Sequence, residues 1–86
     1  MNDVTAFLAP CADVLSEYEE PNGHGLGWLV DQIAAALSFT GVDTDPEADG
    51  CTVYATDYGE LQQVLDTLQL TIADPARLTA LLAAIP

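Results

Sequence analysis

The sequence predicts an α+β domain dominated by helices, about four short ones packed with a small two- or three-stranded β element. Three observations carry this. Apolar residues recur at helical spacing in four separate stretches, clusters of Pro, Gly, Asn and Asp punctuate them, and one short run alternates in the manner of a strand.

In order along the chain, Pro10 either ends what Val4–Leu8 forms or opens the next helix as its first residue. Cys11, Val14, Leu15 and Tyr18 then fall at i, i+3, i+4 and i+7, an amphipathic stripe that Pro21-Asn22-Gly23 terminates. A second helix presents Leu26, Leu29, Val30, Ile33 and Leu37 on one face. Between Leu26 and Leu37 only Asp31 and Gln32 are strongly polar, so this is the predicted central helix. Gly41 suits a position just past its end or after a short extension. Val42 to Gly50 reads as an acidic loop. The run Cys51-Thr52-Val53-Tyr54-Ala55 reads as a strand, with Ser38–Val42 or Thr71–Ile72 as candidate partners. Asp57 and Glu60 form a capping-box-like start for a helix carrying Leu61, Val64, Leu65 and Leu68. Asp74-Pro75 supplies the N-cap and first residue of a last helix, backed by Leu78, Leu81, Leu82 and Ile85.

The 86 residues are expected to form one acidic globular domain, 1–86. Half the residues are hydrophobic and mean hydropathy is +0.23, so composition does not predict disorder. No apolar run is long enough to span a bilayer, and no basic region precedes the first apolar stretch, so the expected setting is cytoplasmic. Cys11 and Cys51 are the only cysteines and read as small buried hydrophobes rather than a pair.

Charge is the outlying feature. Fourteen acids face a single Arg and no Lys, for a net charge of −13. Direct binding of nucleic acid needs Lys and Arg against phosphate, so it is excluded. A basic protein is the complement.

The acids gather in two places. Asp13, Glu17 and Glu20 recur at i, i+4 and i+7 on the first full helix, with Glu19 beside them, and no lysine relieves those near its C-terminal end. Such a face is either solvated or built for a cationic partner. The second group is Asp43, Asp45, Glu47 and Asp49. Asp45, Glu47, Asp49 and Gly50 match positions one, three, five and six of a calcium-binding EF-hand loop. Thr52 and Thr56 stand where an apolar residue and a bidentate Glu belong, so the metal reading of Asp45, Glu47 and Asp49 is weak.

Gly23-His24-Gly25-Leu26-Gly27 has some likeness to a phosphate loop but lacks the preceding strand and the Lys. A tight turn onto the helix explains its glycines better. His24 has no motif that would make it a base for either cysteine. Trp28 lies about 100° from Leu29 on the helical wheel, at the margin of the apolar stripe. It is either core or an aromatic anchor among acids. Arg77, near the start of the last helix, is expected to pair with Asp74.

These features predict a binding protein with no catalytic residues and no cofactor. The leading expectation is an inhibitor that imitates nucleic acid and fills the groove of a basic DNA- or RNA-processing enzyme, in the manner of small acidic phage and mobile-element proteins directed at restriction or CRISPR enzymes. The residues expected to touch the partner are Asp13, Glu17, Glu19, Glu20, Asp43, Asp45, Glu47, Asp49 and Trp28. Two other readings compete: a small adaptor that meets its partner through an apolar surface, and a salt-adapted domain whose charge has no partner. A homodimer fits the sequence as well as a monomer.

Overall fold

The computed structural model describes residues 4–84. The chain opens with a short helix, α1 (Val4–Leu8), a single 3-10 turn at Ala9–Cys11, and a second short helix, α2 (Ala12–Leu15). Pro10 sits inside the 3-10 turn, where its missing N–H costs nothing. The long helix α3 (Gly23–Ala36) follows, then the antiparallel strands β1 (Val42–Glu47) and β2 (Gly50–Ala55), and finally α4 (Tyr58–Ala73) and α5 (Pro75–Ala83). The predicted class therefore holds: helices dominate, and the β element has two strands.

Helix α3 is central, as its apolar sequence predicts. Leu29, Val30 and Ile33 are wholly buried, and they meet Leu8 and Leu15 from the N-terminal segment, Val64 and Leu68 from α4, and Leu78 from α5 in one core. The sides of α4 and α5 that carry Val64, Leu68, Ile72, Leu78 and Leu82 are those set by their i, i+3, i+4 patterns. Both helices start on acids, as the sequence indicates. The Asp57 carboxylate accepts the Glu60 N–H at 3.1 Å, and the Asp74 carboxylate accepts the Ala76 N–H at 3.0 Å.

Several local expectations are corrected. The first amphipathic helix is much shorter than its stripe implies, because α2 ends at Leu15 and residues 16–19 form turns and a bend. Acids at a helix C-terminus oppose the macrodipole, and here the helix stops before three of them accumulate. Tyr18, expected in the apolar stripe, is 52% exposed. The segment Val42–Gly50 is no loop: most of it is β1, paired with β2 in the register Val42↔Ala55 to Glu47↔Gly50. Neither proposed partner of the Cys51–Ala55 strand supplies that pairing, apart from Val42 itself. Gly41 is not the residue that closes α3. Ser38 takes the left-handed position, φ 61°, and the Ser38 and Phe39 N–H groups donate to the carbonyls of Ala35 and Ala34 at 3.0 and 2.8 Å. Arg77 makes no ion pair among the described residues, since the Asp74 carboxylate is occupied with the helix N-terminus. Ile85 lies outside the described residues.

Glycines Gly23, Gly25 and Gly27 belong to α3 rather than to a turn before it. A Cβ on Gly27 would stand 2.9 Å from Pro46 of β1, and one on Gly23 would collide with the backbone oxygens of Glu47 and Gly50. Their role is close approach: they let the helix lie against the hairpin. A two-residue connection, Ala48-Asp49, joins the strands, so Glu47 and Gly50 exchange ladder hydrogen bonds and Thr44 and Pro46 turn their backbone nitrogens outward. Pro46 has no N–H, and that of Thr44 donates to the Asp43 carboxylate at 3.2 Å. The outer edge of β1 is thereby poor in free donors.

Candidate anionic interface

The hairpin positions the acids of the second cluster. Burial alternates along β1: Val42, Thr44 and Pro46 turn toward the protein, while Asp43, Asp45 and Glu47 are exposed. Side chains two residues apart share a face, so the three carboxylates form a row about 14 Å long at a strand rise of about 3.4 Å per residue. One DNA strand carries a charge per roughly 3.4 Å of axis, so the row alone has about half that density. Opposite it on β2 stand Tyr54, which pairs with Asp43, and Thr52, which pairs with Asp45. Both are exposed.

Asp31 of α3 meets β1 from its other side, through the inward-turned Thr44. Its carboxylate accepts the Thr44 hydroxyl at 3.3 Å, which ties the helix to β1. Partial burial raises the Asp31 carboxyl above its usual range; the Thr44 hydrogen bond opposes this, and the nearby Asp43 charge adds to it. Cys51, on the side of β2 that faces Gly27, is raised chiefly by burial, with the charges of Asp31 and Asp45 contributing. Asp31 and Asp43 are thus electrostatic neighbours, and Asp31 and Asp45 both act on Cys51. Asp31 is a member that the sequence reading passed over, since a lone Asp on an apolar helix gives no sign of the strand beside it.

The first acidic cluster is distributed differently. Asp13 lies in α2, whereas Glu17, Glu19 and Glu20 follow it, so the i, i+4, i+7 face does not exist. Glu20 is instead held at the start of α3. Its carboxylate accepts from Asn22 Nδ2 at 3.1 Å, and Asn22 Oδ1 in turn accepts the His24 and Gly25 N–H groups at 2.9 and 3.3 Å. There the helix dipole favours a negative charge. The neighbouring Gly23 N–H donates to the Ala48 carbonyl at 3.0 Å, which brings this turn to the tip of the hairpin, next to Glu47 and Asp49. The turn that carries Glu20 is therefore fastened to the hairpin tip that carries Asp49, while Asp13 stays with α2.

The carboxylates of Asp45, Glu47 and Asp49 have no hydrogen-bond or ionic partner among the described residues. The described residues contain no group of three or more His, Cys, Asp or Glu able to hold a metal ion. Asp45 and Glu47 lie on an extended strand rather than in a loop that curls around a cation. Trp28 packs against the core and is partly buried, with Tyr18 stacked on it at 5.9 Å between ring centroids and 20° between planes. Both cysteines are free, Cys11 buried and Cys51 half-buried. Among the described residues, no helix is long and apolar enough to cross a membrane. No protein-family model, curated protein or solved structure matches the chain.

Proposed function

We propose that this is a non-catalytic binding protein that presents the hairpin face to a basic, nucleic-acid-binding protein and occupies its phosphate-binding groove. The observation that supports this is the row Asp43, Asp45 and Glu47 on the solvent side of β1, followed by Asp49 in the hairpin turn and neutralised by no cation among the described residues. A strand paired to β2 and backed by a helix has its backbone already ordered, so little backbone entropy is lost on binding and the charge contributes both steering and affinity. Restriction, repair and CRISPR enzymes are the class of target with such grooves. A cytoplasmic setting accords with the two free thiols. Self-association through this face is disfavoured by the charge it would bring together.

The test is capture from a lysate of the source organism at low salt, with elution along a salt gradient. The expected result is a nucleic-acid-processing enzyme, displaced by duplex DNA and lost with the variant Asp43→Lys/Asp45→Lys/Glu47→Lys. A control of equal charge change, Asp13→Lys/Glu17→Lys/Asp66→Lys, should keep most of the capture. The reverse pattern would rule out the hairpin as the interface.

A salt-adapted domain is the second reading, favoured by Asp13 and Asp66, which lie away from the row on α2 and α4. Unfolding in low salt would support it. A binding protein should stay folded there and hold its partner more tightly.

A further inference from the structure

We propose that the stacked pair Tyr18 and Trp28 is a platform for an arginine side chain of the partner, so that the surface distinguishes Arg from Lys rather than reading positive charge alone. The inference rests on the anionic-surface reading above.

Three observations carry it. The pair is stacked, 5.9 Å and 20°, yet Tyr18 remains 52% exposed, so Trp28 and the rest of the protein cover only about half of the residue. Tyr18 is flanked in sequence by Glu17 and Glu19, both exposed, in the turn that Glu20 anchors to the start of α3. Trp28 stands one helical turn from Asp31, whose carboxylate is linked to β1 through Thr44, so a third acid neighbours the pair on the helix surface. No cation covers this ring among the described residues: Arg77, the only Lys or Arg of the chain, sits in the first turn of α5 and makes no contact with it.

The occupant follows from charge and shape. Flanking acids exclude an anionic ligand, the net charge of −13 disfavours a second copy, and a neutral aromatic would leave the acids unpaired. A planar, weakly hydrated guanidinium stacks on an aromatic face while its N–H groups reach carboxylates at the rim. A compact ammonium gains less, because it keeps its water.

The experiment compares hexa-arginine with hexa-lysine at equal ionic strength, following affinity by calorimetry and the emission of Trp28, the single tryptophan. Hexa-arginine should bind about two- to fivefold more tightly, the range of an exposed cation–π contact, and should change the Trp28 emission more. Tyr18→Phe should keep the preference, and removing both rings in Tyr18→Ala/Trp28→Leu should erase it by calorimetry, with the circular dichroism unchanged in both. Equal affinity for the two peptides, or a preference that survives the double variant, overturns the platform. If that equal binding is still lost in the Asp43→Lys/Asp45→Lys/Glu47→Lys variant, the anionic-surface reading stands without it. Failure of both peptides to bind overturns both readings.

Discussion

The Gly23 N–H donates to the Ala48 carbonyl at 3.0 Å, so the first residue of α3 is fastened to the tip of the β hairpin. The contact is possible only because Gly23 has no side chain: a Cβ there would run into the backbone oxygens of Glu47 and Gly50. Backbone cannot swing aside as a side-chain tip can.

Gly23→Ala should therefore cost at least about 3 kcal/mol, at the upper end of overpacking effects. Gly50→Ala is the internal control. Nothing lies within 4 Å of a Cβ at Gly50, and its φ is not positive. That substitution should be neutral or stabilise by up to about 1 kcal/mol through the unfolded chain. Urea unfolding of both variants checks this, and equal losses would contradict the helix–hairpin contact.

Ser38 holds a left-handed conformation that L side chains adopt at a cost of about 1–2 kcal/mol. Ser38→Gly relieves it, partly offset by the greater freedom of Gly in the unfolded chain. A gain of about 0.5–1 kcal/mol is expected, which in a domain of this size raises Tm by several degrees. A fall in Tm would show that the Ser38 side chain does more than tolerate its position.

The Asp31 carboxyl is raised by burial and by Asp43, against the Thr44 hydrogen bond. A group raised in the folded state contributes stability below its unfolded pKa and loses it as pH climbs through the folded value. Asp31→Asn keeps an acceptor for the Thr44 hydroxyl and removes the charge. It should raise Tm modestly at pH 7, and the difference from wild type should shrink as pH falls through the carboxylate range. A constant difference across pH would assign the effect to something other than ionisation.

The two thiols should differ in reactivity toward a disulfide reagent. Cys11 is buried and should react only on unfolding. Cys51 is half-buried, with a thiol raised first by burial and then by Asp31 and Asp45, so it should react slowly in the folded state. Added salt screens those carboxylates and should speed Cys51 without affecting the order. Reaction of Cys11 ahead of Cys51 would contradict the described packing.

Leu29 is wholly buried at the centre of α3. Leu29→Ala should cost about 2–5 kcal/mol by leaving a cavity in the single core, measured by denaturant unfolding with an unchanged m-value.

Much of this was legible in the sequence. The apolar stripes of α3, α4 and α5 and the caps at Asp57 and Asp74 are local signals, because helical periodicity and N-cap chemistry act within a few residues. The class, the central position of α3 and the excess of negative charge follow from them and from composition. Only tertiary structure decided that Val42–Glu47 is a strand. Asp and Pro are poor strand formers, so β1 forms through pairing with β2 and packing on α3, neither of which its own residues announce. The same pairing turned Asp43, Asp45 and Glu47 to one side, and packing on α3 set Asp31 against Thr44 within electrostatic reach of Asp43. Composition fixes how much charge the protein carries. Where that charge converges depends on contacts between segments far apart in sequence.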